Sequence, residues 1–409
     1  MFELSSCTLI SGITCLSSTG AGVAQHDYQV NAWAYLPIAD IITALGVSQD
    51  ASIDIDADGP FLSIGGIIDN YTNDPSVTGS ELAQFSQGFT PLILKTLEWH
   101  THVVIRNLSS SQATVVLSAY AISGGTTPQA QYTIYISGNG FFSADDIITY
   151  MGGNVDTVWL LDIDADQTVC GYARQYNSSR TGGIYPFYAH GQGATTLVFP
   201  YMEDTVPYRS NIGISRTAAG GSNVTLKYYS GGGLQASRTT GVSQNQYIPI
   251  INSLRWIRNS VSPDPLDESG YVVIEADAPI YAIGGPTDNI SNDPSVQGAA
   301  YTAFADTIAP IVLKSGPWAT RVVLTNHSAS SVDVTIQLVY DGSVVDSSST
   351  SISAYDQLIY DDIIDNLFPA YVYGTLRIVA SDPIYVYVHQ YTNANTGGLY
   401  PVFNTEDYD

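Results

Sequence analysis

Apolar and polar residues alternate along most of the chain, which is the pattern of half-buried β-strands. The alternation is clearest in the last hundred residues, along 320–326 and 332–340. Further short stretches, each bounded by Gly, Asn, Asp or Pro, lie at 348–353, 374–380, 384–391 and 398–403. About seven short strands in roughly 100 residues are typical of an immunoglobulin-like antiparallel β-sandwich. The pattern therefore predicts an all-β fold.

One stretch of the last hundred residues breaks this alternation. Residues 360–367 carry apolar residues at helical spacing, and we expect a short helical turn across one end of the sandwich. Similar stretches occur at residues 39–45, 144–150 and 249–254. Four such turns predict four modules built on one plan.

Two phrases show that the chain is an internal duplication. The phrase Asp69–Val77 recurs at Asp288–Val296, and Pro91–Lys95 recurs at Pro310–Lys314, in both cases 219 residues later. A different ending, Thr-Gly-Gly-(Ile or Leu)-Tyr-Pro, occurs at 181–186 and 396–401. Because the two endings alternate, the unit of duplication is a pair of unlike modules.

The predicted modules are 1–88, 89–190, 191–304 and 305–409, which we expect to form a linear array of tandem immunoglobulin-like sandwiches.

The first predicted module is shortened. The opening strands predicted for module three, residues 197–201 and 209–214, have no counterpart in module one. Three explanations are open. The chain is a fragment, or Phe2–Ser17 replaces the strands, or another chain completes the exposed edge and so produces head-to-tail assembly.

Several short motifs resemble the immunoglobulin-like repeat modules of large secreted or surface-anchored bacterial proteins. They are Pro-Leu-Ile-Leu at 91–94, Val-Val-Leu-Thr-Asn at 322–326, Asp-Asp-Ile-Ile at 361–364, Gly-Thr-Leu-Arg-Ile-Val at 374–379 and Asp-Pro-Ile-Tyr-Val-Tyr at 382–387. The resemblance implies a stalk, an adhesive segment or an accessory to an enzyme. It implies no fixed catalytic set.

The charge of the chain narrows the choice of partners. Acidic residues number 38 against 13 basic residues, giving a net charge of −25. Such a surface repels phosphate backbones and anionic lipid, so we expect no nucleic-acid partner and no membrane insertion. Tyrosines, at 29, outnumber Lys and Arg together, which suits an extracellular or cell-surface β-protein.

The phrase that recurs at residue 288 indicates calcium as a candidate cofactor. Carboxylate and amide oxygens, the hard ligands that calcium prefers, are concentrated within it. The candidate ligands are Asp69, Asn73 and Asp74 in module one, and Asp288, Asn292 and Asp293 in module three. The alternative is an Asx-turn, in which the same side chains satisfy nearby backbone groups.

Other polar residues that could carry chemistry have simpler structural explanations. His100 and His102 project from one face of a predicted strand, but the matching positions in module four are Ala319 and Arg321. The acidic pairs at 145–146 and 361–362 begin helical turns, where carboxylates cap free amides. We therefore predict no catalytic residues and no enzyme activity.

Aromatic residues crowd the ends of modules two and four. They are Tyr176, Tyr185, Phe187, Tyr188, Tyr391, Tyr400 and Phe403. Exposed, they would stack on sugars; buried, they would pack modules together. The sequence as a whole predicts a non-enzymatic extracellular structural or adhesive protein that associates with itself or with neighbouring surface proteins. The alternative is a carbohydrate-binding or carbohydrate-active accessory protein, with glycans as partners.

Overall fold

The computed structural model describes residues 8–31, 34–68, 75–79, 82–179, 181–262, 264–300, 302–392 and 397–405. These residues form antiparallel β-sheets joined by turns and four short helices. The predicted fold class is confirmed: the chain is all-β and consists of tandem immunoglobulin-like sandwiches, of which the first is shortened.

Module one contains two small sheets. Its elements are β1 (Thr8–Leu16), β2 (Gly22–Asn31), α1 (Ile41–Ala44), β3 (Ser52–Ala57), β4 (Ile64–Ile68) and β5 (Pro75–Gly79). The first sheet has the order β2-β1-β3, and the second is the pair β4-β5.

Module two shows the complete plan. Its elements are β6 (Phe85–Lys95), β7 (Trp99–Asn107), β8 (Ala113–Ala121), β9 (Ala130–Ile136), β10 (Phe141–Ala144), α2 (Ile147–Tyr150), β11 (Thr157–Asn177), β12 (Gly182–Pro186) and β13 (Tyr188–Ala189). The long strand β11 runs through both sheets. Its first half pairs with β6 and β8, and its second half pairs with β7 and β12.

Module three repeats this plan. Its elements are β14 (Ala194–Asp204), β15 (Tyr208–Arg216), β16 (Ser222–Ser230), β17 (Gly233–Val242), β18 (Gln246–Ile250), α3 (Ser253–Arg258), β19 (Glu268–Asp288) and β20 (Gln297–Gly298). The long strand β19 pairs first with β14 and β16, then with β15 and β20.

Module four is built in the same way around β26. Its elements are β21 (Phe304–Leu313), β22 (Trp318–Thr325), β23 (Val332–Tyr340), β24 (Ser343–Ile352), β25 (Gln357–Tyr360), α4 (Ile363–Leu367), β26 (Tyr373–Thr392), β27 (Gly397–Tyr400) and β28 (Phe403–Asn404). The sequence predicted two strands, 374–380 and 384–391, where the structure has the single strand β26. A partner change explains the difference: β26 leaves β21 and β23 and continues alongside β22 and β27.

The alternation of the sequence explains which faces are buried. In β7, Thr101, Val103 and Ile105 are fully buried, whereas the residues between them are half-buried. Alternate side chains of a strand point to opposite faces, so one face of β7 enters the sandwich core. The helices have four to six residues, and α1, α2 and α4 lie within predicted turns. The third prediction, 249–254, is displaced: residues 249–250 belong to β18, and α3 begins at Ser253. Within the described ranges, no helix has the length and apolarity to cross a membrane.

The part of module one that the structure describes has no counterpart of the two strands that open module three. Strand β1 lies between β2 and β3, as β16 lies between β17 and the first half of β19. Thr8–Leu16 is therefore the counterpart of β16. The idea that Phe2–Ser17 replaces the opening strands is wrong for the described part of that segment. In the described part of module one, no strand occupies the position of β14 or β15.

The four modules meet at one centre, which we define as the two Pro-Ser pairs, at 75–76 and 294–295, and the two Gly-Gly pairs, at 182–183 and 397–398. A Cβ atom added to Gly183 would lie 2.7 Å from the Pro294 carbonyl oxygen. A Cβ atom added to Gly398 would lie 2.6 Å from the Pro75 carbonyl oxygen. The backbones thus approach too closely for any residue but glycine.

The centre contradicts the predicted linear array. Gly79 and Pro75 of module one lie against Phe403 and Gly398 of module four, so the first and last modules touch. Modules two and three touch through Gly183 and Pro294. The array therefore closes on itself. The sequence pattern could not reveal this, because alternation reports which face of a strand is buried and not which distant module covers it.

Replacing Gly398 by alanine tests the closure. The new methyl group has to push against the Pro75 carbonyl, which costs about 1–3 kcal/mol, as overpacking does elsewhere. We expect a lower melting temperature by calorimetry and a larger radius of gyration by small-angle scattering. The matched control is Gly233→Ala in β17, where an added Cβ has nothing within 4 Å. Equal effects of the two substitutions would show that modules one and four do not depend on this contact.

Candidate functional site

The candidate site is the region around the centre, where one serine of each repeated phrase joins two modules. Ser76 donates a hydrogen bond from Oγ to the Gly182 carbonyl oxygen at 3.2 Å. Ser295 makes the equivalent bond to the Gly397 carbonyl oxygen at 3.1 Å. The two bonds anchor modules one and three to modules two and four.

A basic side chain contacts the hydroxyl group of each of these serines. Arg174 Nε donates to Ser76 Oγ at 3.1 Å. His389 Nε2 lies 3.2 Å from Ser295 Oγ. Arg174 and His389 occupy equivalent positions in β11 and β26, so the two halves of the duplication share this geometry with different side chains.

The second copy of the candidate calcium phrase forms a tight turn. Asp288 Oδ1 accepts hydrogen bonds from the Ile290 backbone N–H at 3.0 Å and from the Ser291 hydroxyl at 2.7 Å. The Ser291 backbone N–H donates to the same oxygen at 2.6 Å. Asn292 adopts the left-handed conformation with φ of 58°, which Asn tolerates better than most residues. The structure thus shows the Asx-turn that was the alternative to calcium.

A positive charge already lies in this turn. Arg209 donates to Asn289 Oδ1 at 2.9 Å and to Asn292 Oδ1 at 2.8 Å. Burial lowers the pKa of Arg209, while the negative charge of Asp288 opposes that shift. Because the guanidinium occupies the Asn292 oxygen and supplies a cation beside Asp288, the residues at this copy do not fit a calcium ion.

The remaining candidate ligands are placed as follows. Asp293 is buried, and its Oδ2 accepts from the Gly397 backbone N–H at 3.4 Å, which ties module three to module four. Asp69, Asn73 and Asp74 lie outside the described residues. Among the residues that the structure describes, no three His, Cys, Asp or Glu side chains are grouped so that they could hold a metal ion. Calcium at the first copy remains a prediction.

A variant that keeps only the second copy tests the calcium prediction. In the double variant Asp69→Asn/Asp74→Asn, we expect the melting temperature to be the same with calcium and with chelator, because Arg209 is the cation at the second copy. Any calcium-dependent rise in the unmodified protein should disappear in this variant. Magnesium at equal ionic strength is the control. A calcium-specific rise that survives in the double variant would place a site at Asp288 after all.

A buried ion pair lies beside the centre, between modules three and four. Glu203 Oε1 is 2.9 Å from Arg321 Nη1; the Glu203 side chain is 3% exposed and the Arg321 side chain 13% exposed. Arg321 also contacts Asp361 at 2.8 Å and lies over the ring of Tyr201. Burial raises the pKa of Glu203, and the charge of Arg321 opposes that shift. Losing Arg321 would leave the Glu203 carboxylate buried without a compensating charge, so the pair fixes how the two modules meet.

The pKa of His389, which lies in this region, is strongly shifted. Burial, with a smaller contribution from the charge of Arg321, lowers its pKa from 6.5 to about 3. The imidazole is therefore neutral at physiological pH. No local motif in the sequence marks Glu203 or His389. The available signal is that the 219-residue offset aligns His102 with Arg321, so the two halves carry different basic residues at one equivalent position.

The carboxylate pairs cap helices, as the structural explanation predicts. Asp146 Oδ1 accepts from the Thr149 backbone N–H at 3.0 Å, and Asp362 Oδ1 accepts from the Asp365 backbone N–H at 3.2 Å. Lys95 Nζ lies 2.7 Å from Asp146 Oδ2. Burial would raise the pKa of Asp146, but hydrogen bonds from Lys95 and Thr149 lower it from 3.8 to about 2.

The lowered pKa gives Asp146 a defined pH signature. Asp146→Ala removes an N-cap, which we expect to cost about 1 kcal/mol of unfolding free energy. A carboxylate with a depressed pKa stabilises fully above its unfolded pKa, so the difference from wild type should be complete above about pH 4. It should fade as the pH falls towards about 2. Chemical denaturation across this range measures it. The control is Asp145→Ala, whose side chain is 92% exposed; a similar loss there would contradict the cap.

The two predicted histidines lie on one face of β7 without forming a metal pair. His100 Nδ1 is 3.5 Å from Asp146 Oδ2, and His102 Nε2 is 2.8 Å from Ser143 Oγ. Each histidine therefore has its own partner on a neighbouring element.

Among the aromatic residues at the module ends, Tyr188 and Phe403 pack between modules. Tyr188 lies 5.2 Å from Tyr281 of module three, measured between ring centroids, and donates to the Ala282 carbonyl oxygen at 3.1 Å. Phe403 lies against Gly79 of module one. Tyr185 and Phe187 are buried. This is the packing role that the sequence analysis set against sugar stacking.

Comparison with known proteins shows little similarity. No protein-family model matches the chain, and no curated protein matches it. A solved structure of an anti-sigma factor domain-containing protein aligns with 85% of this chain and 91% of its own, at 9% identity and a TM-score of 0.12. Another such protein, from Clostridium clariflavum, aligns over 97% and 98% of the two chains, at 7% identity and a TM-score of 0.11. Similarity at this level carries no argument about function.

Proposed function

We propose that the protein is a non-enzymatic structural or adhesive protein of the extracellular space or cell surface. The observation that carries this proposal is the closed centre. The most strongly repeated residues of the chain, the Pro-Ser and Gly-Gly pairs, are used to hold four modules together. A repeated sequence whose residues pack one module against another is what a structural protein needs.

The polar groups near the centre support the same proposal. The acidic pairs cap helices, and Asp288 closes a turn. His389 is only 1% exposed and neutral at physiological pH, so no substrate reaches it. A catalytic group needs access to its substrate. Each of these groups is instead buried or bonded to a structural partner.

The surface charge favours protein partners over nucleic acid and anionic lipid. With a net charge of −25, the chain repels nucleic acid and anionic lipid. Self-association or contact with neighbouring surface proteins fits this surface better. The likeness of its motifs to the modules of secreted or surface-anchored bacterial proteins points in the same direction.

One observation favours the alternative of carbohydrate binding. Tyr132 and Tyr150 are exposed in module two and lie 4.9 Å apart between ring centroids, and Phe142 lies 5.1 Å from Tyr150. Exposed aromatic rings of this kind offer stacking faces to a sugar. This aromatic cluster is the place where a glycan would bind.

A glycan array and a polysaccharide-hydrolysis screen separate the two functions. For a structural protein we expect no hydrolysis and no glycan signal above background. A glycan signal that Tyr132→Ala and Tyr150→Ala remove would favour carbohydrate binding instead. Tyr135→Ala is the matched control, because Tyr135 is an exposed tyrosine of the same strand. Hydrolysis that one carboxylate substitution abolishes would overturn the non-enzymatic proposal.

A further inference from the structure

Two tyrosines lie side by side on the surface of module four. Tyr340 ends β23, and Tyr373 begins β26, the neighbouring strand of the same sheet. Their ring centroids are 5.1 Å apart, and their hydroxyl oxygens are 3.2 Å apart, within hydrogen-bonding distance. Tyr340 is 37% exposed and Tyr373 is 41% exposed. The two phenols are therefore in contact with each other and accessible from solvent.

The backbone holds both rings in place. Tyr340 precedes a two-residue hairpin turn, in which Asp341 and Gly342 have φ of 47° and 77°, and it pairs with Ser343 across that turn. Such turns fix the register of the strands that they join. Tyr373 lies on β26, which pairs with β21 from its first residue. Because both tyrosines lie on paired strands, the sheet sets the distance between their rings.

Two phenols in contact are joined when an oxidant removes one electron and one proton from each. The two phenoxyl radicals form a carbon–carbon bond between the Cε atoms next to the hydroxyl groups. In each ring the hydrogen on the bonded carbon then moves to the oxygen, which restores the hydroxyl. With a peroxidase as catalyst, hydrogen peroxide takes up the two electrons and two protons and becomes two water molecules. The product, dityrosine, has its hydroxyl groups side by side, as this pair already has them.

Other tyrosine pairs at a similar distance are closed to an oxidant. Tyr201 and Tyr387 have ring centroids 5.2 Å apart, but they are only 3% and 1% exposed. Tyr229 and Tyr271 stack at 5.0 Å, but Tyr271 is fully buried and its hydroxyl lies 3.1 Å from Nδ1 of His327. An oxidant in solution does not reach both rings of either pair. Close contact between tyrosines is thus combined with access in module four and not in these pairs.

Module two carries a second exposed pair. Tyr132 and Tyr150 are 44% and 40% exposed, and their ring centroids are 4.9 Å apart. Partial burial raises the pKa of Tyr150, and a hydrogen bond with Tyr132 raises it further. This pair therefore has the same contact between phenols and the same access from solvent as the pair in module four.

We infer that Tyr340 and Tyr373 are a site of oxidative cross-linking to dityrosine, and that the same reaction joins Tyr132 to Tyr150. The inference goes beyond the proposed function and does not depend on it. The link in module four connects residues 33 positions apart, so it closes a loop that contains β24, β25 and α4. A closed loop restricts the unfolded chain, which stabilises the folded module.

Brief oxidation of the full 409-residue chain with hydrogen peroxide and a peroxidase tests the inference. At low protein concentration we expect a monomer that has lost two hydrogen atoms for each link. Proteolysis and mass spectrometry should then find a peptide that contains Tyr340 bonded to a peptide that contains Tyr373. Absence of this linked pair, or its formation only between two chains, would overturn the inference.

Substitution by phenylalanine assigns each link to its pair. Tyr373→Phe keeps the ring but removes the phenol, so we expect it to abolish the 340–373 link and to leave the 132–150 link. Tyr150→Phe should have the opposite effect, so each variant is the control for the other. Tyr135 is 69% exposed, and Tyr135→Phe is the control for exposure alone. Loss of either link in the Tyr135 variant, or of both links in each of the other two, would contradict the assignment.

Calorimetry of the oxidised proteins tests the effect on stability. Oxidation should raise the melting temperature of the unsubstituted protein more than that of Tyr373→Phe, because only the former closes the loop in module four. Equal shifts would contradict the stabilising role of that link. These results are separate from the glycan and hydrolysis screens, since the cross-link needs neither a glycan nor a substrate.

Discussion

The arrangement of the four modules depends on two backbone contacts at the centre. Gly183 meets the Pro294 carbonyl and Gly398 meets the Pro75 carbonyl, in each case with no room for a Cβ atom. Such an approach brings the edges of four sandwiches within hydrogen-bonding reach, which is what lets Ser76 and Ser295 bond to a neighbouring backbone. A larger residue at either glycine would separate the modules before any side chain between them could adjust.

The centre also explains why unlike modules alternate in the sequence. Each Pro-Ser phrase faces one Gly-Gly pair through its serine and the other Gly-Gly pair through its proline carbonyl. The contacts therefore follow a pseudo-twofold axis that relates the first pair of modules to the second. Each contact joins a Pro-Ser phrase of one module type to a Gly-Gly pair of the other type. Duplication of one pair of unlike modules therefore supplies all the contacts of the closed assembly.

The sequence predicted the fold better than the arrangement. Alternation found the strands, and apolar spacing after Asp146 and Asp362 found the helices, because both features are local. It divided β26 in two at Ser381-Asp382-Pro383, residues that are typical of a turn, whereas in the structure the strand continues there as its partners change. It could not find the ion pair of Glu203 and Arg321, because residues more than a hundred positions apart leave no mark on each other's local pattern.

Modules one and three share sequence at positions where their structures differ. Tyr35-Leu36-Pro37-Ile38 matches Tyr247-Ile248-Pro249-Ile250 of β18, yet residues 35–38 form no strand. In module three this segment pairs with β15 along its whole length. Alternation of apolar and polar residues permits a strand, but a neighbouring backbone that offers hydrogen bonds is what makes one. The conformation of such a segment therefore depends on the strand beside it as well as on its own residues.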